Sequence, residues 1–185
     1  MQRLSFFEVV GNNLSGMIPY SLYDISTMSV ISTAVNQLNG TLPDNIGLTL
    51  PNLKYRSIFT NKFFGPIPAS LSNASRLEII ALSKNKFVGQ VPTDLGNLLD
   101  LRWLGVGRNN LGSNSSKDLY FMKFQKLEGL ALDGNRLSGH IQSSIGNLTQ
   151  LVKLYLSQNN LEGSIPSSFG NCKYLQNLEI SENNL

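Results

Sequence analysis

This sequence has little charge, one cysteine, one histidine, one tryptophan and no long apolar run. Each shortage excludes something. Charged residues make up only 15% of the chain, and the net charge of +3 is spread without any run of Lys or Arg. A nucleic-acid footprint needs a clustered basic face, so none is expected. Cys172 has no second cysteine to bond, so cysteine usage says little about compartment. His140 has no second His or Cys nearby, so no metal site is expected, and nothing calls for a cofactor. No stretch of about 18 apolar residues exists, so no membrane span is expected. The opening MQRLSFFEVVGNNLSG has no apolar core followed by a small-residue cleavage site, so it does not read as a signal peptide. There is no G-x-S-x-G, no Gly-rich phosphate loop and no kinase signature. Asp and Glu are scattered rather than paired, so the chain is not expected to be an enzyme.

What the chain has in abundance is one phrase, seen most clearly at Leu151–Pro166, LVKLYLSQNNLEGSIP. Indexed by its asparagine, the phrase occurs eight times, at Asn12, Asn36, Asn61, Asn85, Asn109, Asn135, Asn159 and Asn183. The spacing is 24–26 residues throughout, and the last copy is incomplete. Two residues after each Asn stands Leu or Phe, from Leu14 to Leu185, and four after it stands Gly in six of the seven copies that reach that slot, Ser113 breaking the series in the fifth. Pro19, Pro43, Pro68, Pro92 and Pro166 close the phrase. Apolar residues, with a Thr33, also fill the slots eight and three before each Asn. A fixed period of this length marks a solenoid.

The spacing predicts local structure. The x-L-x-L-x segment alternates with period two, so it reads as a short strand with one buried face. The Asn amide can bond backbone groups of the neighbouring turn, so stacked copies form a ladder. Gly permits the tight path that follows, and Pro fits where no ladder N–H is needed. Segments such as SSFGNCKY (167–174) read as one-turn or 3-10 helices on the outer face. One copy cannot bury its apolar face alone, so the copies stack. Strands about 4.8 Å apart give a ribbon roughly 35 Å long on the concave side.

The phrase LxxLxLxxNxLxGxIP resembles the plant-specific leucine-rich repeat, and it covers essentially the whole chain. GTLPDNIGLTLPNLKY (40–55) and GPIPASLSNASRLE (65–78) are similar to the ectodomains of grass receptor-like kinases, in the group of the rice bacterial-blight resistance receptor and the elongation-factor receptor. The resemblance implies a leucine-rich-repeat solenoid of the α/β class over residues 1–185. It would be a right-handed superhelix with a parallel β-ribbon inside and short 3-10 or α turns outside. It also implies an intact parent with a secreted ectodomain, one span and a Ser/Thr kinase, at the extracellular side of the plasma membrane. The paired-cysteine cap, span and kinase of that family have no counterpart in this sequence, which therefore reads as a fragment or a truncated product.

Two stretches depart from the pattern. Arg56 stands five before its Asn, where Phe7, Ile31, Ile80, Leu104, Leu130, Leu154 and Leu178 sit elsewhere. A buried lone charge is expensive, so Arg56 is expected to turn outward and disturb its strand. The fifth copy runs on as GSNSSKDLYFMKFQKL without Gly-x-Ile-Pro, with helical character around Lys117–Phe124. It is expected to form a longer outer helix, with a partner-contacting bulge as the other reading. Cys172 takes the slot of Leu98 and Leu148 and is expected in the core.

Positions six, four and two before each Asn should face outward from the concave ribbon, and packing does not dictate them. Among these, Tyr55, Phe59, Trp103, Lys153 and Tyr155, with Arg108 beside them, are the expected ligand-binding residues. Aromatic anchors with nearby cations suit a peptide or protein ligand. A co-receptor is a second expected partner. N-x-[ST] sequons at Asn13, Asn39, Asn73, Asn114 and Asn147 are candidate glycosylation sites and favour a secretory lineage. Three readings follow: the ligand-recognising part of an immune or developmental receptor ectodomain, a secreted inhibitor-type repeat protein, or a non-signalling remnant.

Overall fold

The strands alternate between two sides of a coil. The computed structural model describes residues 3–112 and 124–185. In chain order the first strands are β1 (Phe6–Glu8), β2 (Ser15–Met17), β3 (Val30–Ser32), β4 (Gln37–Gly40), β5 (Tyr55–Ser57), β6 (Lys62–Gly65), β7 (Ile79–Ala81) and β8 (Lys86–Gly89). They continue as β9 (Trp103–Gly105), β10 (Asn110–Leu111), β11 (Gly129–Ala131), β12 (Ser138–His140), β13 (Lys153–Tyr155), β14 (Asn160–Glu162) and β15 (Asn177–Glu179). All odd strands form one eight-stranded sheet in sequence order, and its neighbours are parallel. Each strand contributes the x-L-x of one repeat, as the two-residue alternation requires.

The even strands build a second side that the repeat phrase did not announce. Here β2, β4, β6, β8 and β10 form a five-stranded parallel sheet, and β12 pairs with β14. These strands start just after the indexing Asn. On β6 and β8 the second residues, Phe63 and Phe87, are buried, while the residues on either side face out. Outside the two sheets the coil closes through single turns: 3-10 helices at Tyr20–Leu22, Ala69–Asn73, Thr93–Asn97, Ser143–Asn147 and Ser167–Asn171, and an α-turn at Ile46–Thr49. Pro19, Pro68, Pro92 and Pro166 stand immediately before four of them, where a missing N–H is harmless.

The core is the sum of the repeat slots. Leu53, Leu77, Leu101 and Leu151 eight before the Asn, Ile80 and Leu154 five before, Leu82 and Leu156 three before, and Phe87 and Leu161 two after are all fully buried. Each such side chain contributes about 1.5–3 kcal/mol by leaving water. Cys172 is buried as expected, its thiol donating to the Ile145 carbonyl at 3.5 Å.

The asparagine ladder forms step by step. Asn109 Nδ2 donates to the carbonyls of Val106 (2.9 Å), Gly107 (3.2 Å) and Leu82 of the preceding coil (3.2 Å), and its Oδ1 accepts from the Phe87 N–H at 3.0 Å. Asn36, Asn61, Asn85, Asn135, Asn159 and Asn183 repeat the same pattern. One side chain thus satisfies backbone groups of two coils that the turn would leave buried and unpaired. The turn requires a left-handed residue just before the Asn. Gly11 and Gly134 supply it easily, but Val35, Thr60, Lys84, Arg108, Gln158 and Glu182 adopt it too, at φ of 55–58°.

Arg56 corrects the expectation made for it. It does not turn outward; it is fully buried and β5 is undisturbed. Pairing in register with Ile31 on one side and Ile80 on the other fixes its side chain on the core face. The guanidinium donates to the carbonyls of Ile31 (3.4 Å) and Ser57 (3.3 Å) and to the Tyr23 hydroxyl (3.4 Å). Its carbon lies 5.9 Å from the centre of the Tyr23 ring, and Nε has no partner. Burial pulls the guanidinium below its ordinary pKa, with Tyr23 opposing that pull.

Candidate functional site

The concave ribbon is a trough. Side chains six before each Asn form one edge, in the order Val30, Tyr55, Ile79, Trp103, Gly129, Lys153 and Asn177 from strand to strand. The middle row, four before each Asn, is paved with small residues from Ser32 through Ser57, Ala81 and Gly105 to Ala131, and ends at Tyr155. The far edge carries Phe59, Lys84, Arg108 and Asp133. Parallel register puts each row one strand spacing apart, so the trough runs across the strands. From Ser32 to Ala131 that is about 19 Å, enough for roughly six residues of extended peptide.

Packing changes one expectation for this face. Ser32, Ala34, Ser57, Gly105, Gly107, Gly129, Ala131 and Ser157 are buried, though strand alternation had placed them outward. Their side chains are too short to clear their larger neighbours. The Trp103 indole is the main cover. A Cβ on Gly129 would overlap Cε3 and Cζ3 of that ring, and one on Gly105 would lie 2.7 Å from its Nε1. Trp103 thus lies down on a floor that only glycine allows.

The expected binding residues divide between the edges. Tyr55 and Trp103 share one row with Ile79 between them, and both are half-buried. Phe59, also half-buried, stands on the opposite edge, with Lys84 Nζ 5.1 Å from its ring centre. Arg108 lies exposed on that edge, its Nε 3.4 Å from Asp133 Oδ2. Lys153 and Tyr155 belong to β13, beyond the gap at Gly129. The structure therefore brings Tyr55, Phe59, Trp103 and Arg108 around one trough and places Lys153 and Tyr155 at its end.

Charge around the trough is largely self-neutralised. Along the strand starts, Lys54 pairs with Glu78 at 3.5 Å and Arg102 with Glu128 at 2.6 Å. Both pairs are solvent-exposed, so each contributes about 0–1 kcal/mol. Behind them Lys126 bonds Asp100 at 2.6 Å and holds that carboxyl below its ordinary pKa.

Among the sequons, Asn13, Asn73 and Asn147 are exposed, with Asn73 and Asn147 ending 3-10 helices on the outer side. Asn39 is half-buried within β4. Asn114 and the helix expected over Lys117–Phe124 lie outside the described residues, except Phe124, which is buried and not helical. Among the described residues no helix is long and apolar enough to cross a membrane.

Comparison with known proteins adds to this geometry. The family described as Leucine rich repeat matches residues 125–185. The chain is similar to Receptor-like protein 41 of Arabidopsis thaliana, 31% identical over 156 residues, which are 84% of this chain and 15% of that protein. It is also similar to the LRR receptor-like serine/threonine-protein kinase EFR of the same plant, 44% identical over 66 residues, covering 33% of this chain and 6% of that one. The chain therefore spans less than a fifth of the length of either relative. Among solved structures it resembles the Arabidopsis receptor kinase HAESA in complex with the peptide hormone IDA and the co-receptor SERK1. That match has a TM-score of 0.91 and 30% identity, and covers 98% of this chain and 30% of that one.

Proposed function

Because this chain is a leucine-rich-repeat solenoid of the plant receptor type, we propose that it is the ligand-recognising part of a cell-surface receptor ectodomain and that its concave trough receives a peptide or a protein segment. The observation that carries this reading is the Trp103 indole laid across Gly129 and Gly105. Three neighbouring small positions and two aromatic-bearing edges give an extended chain a floor for its backbone and walls for its side chains. Tyr55, Phe59, Trp103 and Tyr155 supply apolar area that is already ordered, so little side-chain entropy is lost on binding. Arg108 and Lys153 orient polar groups at the trough edge and end. Glycans at Asn13, Asn73 or Asn147 would stand off this face.

HAESA, similar in fold, is seen with a peptide hormone and a co-receptor, which supports a peptide ligand and a second protein partner here. In that setting the ribbon works at the extracellular side of the plasma membrane, and any kinase activity belongs to a parent protein rather than to this chain. A random peptide library displayed on phage and panned against the chain tests the reading. Selected peptides should lose binding to a Trp103→Ala, Tyr55→Ala double variant that melts at the parent temperature. Selected peptides that bind the double variant as well as the parent would place recognition on another surface.

A further inference from the structure

The second sheet presents a face that the trough does not use. Its outward rows are set by period two: Lys62 and Phe64 on β6, Lys86 and Val88 on β8, with buried Phe63 and Phe87 between them. Phe64 is 50% exposed and Val88 44%, and Phe64 pairs in register with Lys86. At the corner between the two sheets, Lys84 and Arg108 extend into solvent from left-handed residues of successive coils. Residues 60–66, 84–90 and 108–112 hold these four cations and no Asp or Glu. Four of the chain's 15 Lys and Arg residues stand on this flank. Among the described residues, the ion pairs that neutralise the strand-start edge have no counterpart on the flank except Arg108–Asp133. Lys62 donates to the Gln37 side-chain amide oxygen at 3.1 Å, and Lys84 Nζ lies 5.1 Å from the Phe59 ring centre. Lys86 forms no ion pair among the described residues.

We infer that this flank, with Phe64 and Val88 at its centre and Lys62, Lys84, Lys86 and Arg108 around them, is a second docking surface, taking an acidic segment of a protein partner that carries apolar residues between its carboxylates. Charge complementarity selects the sign of the partner and its approach. The apolar centre selects its class. A polyanionic glycan would satisfy the cations but leave the exposed phenyl and isopropyl groups uncovered, whereas an acidic peptide with Leu or Val between its Glu residues covers both. Solvent-exposed lysines beside an apolar patch also match the polar rim and apolar middle of protein interfaces. The apolar centre, Phe64 and Val88, lies on a different sheet from the trough, and the two surfaces meet at Lys84 and Arg108.

The test uses the full chain, produced without glycans, and three fluorescent probes: a soluble peptide in which Glu alternates with Leu and Ser, its Gln-for-Glu counterpart, and an oligogalacturonate. The Glu peptide should bind, weaken steeply with salt, and exceed its Gln counterpart by at least about tenfold. Lys62→Glu with Lys86→Glu should abolish that binding, and Phe64→Ser should weaken it several-fold. Trp103→Ala should leave it unchanged, which separates this surface from the trough. All the substituted side chains on the flank are exposed, and equal melting temperatures confirm that folding is intact. Binding of the Glu peptide that survives the charge reversal, or no binding at all, overturns the inference. Oligogalacturonate bound as tightly as the peptide and indifferent to Phe64→Ser overturns it in favour of a polysaccharide.

Discussion

The Tyr23 hydroxyl lies 3.4 Å from Nη2 of Arg56, in the interior of the solenoid, and among the described residues no carboxylate pairs with that guanidinium. Both residues are misfits in their slots. Arg56 stands where the other copies carry Leu, Ile or Phe, and Tyr23 stands four after its Pro, where Gly47, Ser72, Gly96 and Gly170 recur. Two departures 33 residues apart thus meet, the ring and hydroxyl of one sheltering the charge of the other.

Sheltering is incomplete, because all three guanidinium bonds are long and Nε has no partner. Arg56→Leu should therefore stabilise the chain, by roughly 1–3 kcal/mol, since a leucine fills the slot without a buried charge. Tyr23→Phe should destabilise the parent by about 1–3 kcal/mol but have little effect in the Arg56→Leu background. Thermal melting of the four proteins decides it. A lower midpoint for Arg56→Leu would sink the account of this pair.

The asparagine ladder makes a graded prediction. Asn109→Ala leaves the buried Phe87 N–H without its acceptor and takes one of two side-chain donors from the Leu82 and Val106 carbonyls, and should cost about 1–3 kcal/mol. Asn12 is exposed and bonds only the Val9 and Val10 carbonyls, so Asn12→Ala should cost less than about 1 kcal/mol. Urea titrations would show the contrast. Equal effects at the two sites would mean that the ladder is not what ties the coils together.

Val35 occupies the left-handed position before its Asn at φ 55°, and its side chain is 44% exposed. A β-branched residue is strained there, while Asn tolerates the conformation. Val35→Asn should raise stability by roughly 0.5–1 kcal/mol. A fall in melting temperature would show that the Val35 side chain contributes contacts that outweigh its strain.

Much of this fold is legible in the sequence because stacking forces the same choice at the same slot. Leu151, Leu154, Leu156 and Asn159 are repeated demands of one turn, and the buried positions and ladder follow from them. The second sheet is less legible, since Lys62-Phe63-Phe64 shows one apolar residue inward and one outward and so hides its alternation. The conformation before the Asn is hidden for another reason: Val35, Thr60 and Glu182 are poor signals for a left-handed turn, and the ladder imposes it on them. Arg56 is a misfit within its own repeat, and its partner Tyr23 lies 33 residues away, where no spacing rule looks. In the trough the outward aromatics were visible, but the glycine floor was not. Gly105 and Gly129 look like empty exposed positions until Trp103 is seen lying on them.

That floor has its own test. In Gly129→Ala the new methyl would overlap the indole and push it into solvent. Because Trp103 is the chain's one tryptophan, its emission should move to longer wavelength with little change in melting temperature. An unmoved spectrum would mean that the ring does not rest on Gly129.

The same fluorophore tests the central claim, that ligand lies in the trough against Trp103. A selected peptide free of tryptophan should shift Trp103 emission to shorter wavelength as it saturates the chain, at the concentration where binding measured by an independent label is half complete. A peptide that binds by the label while leaving Trp103 emission unchanged would contradict it.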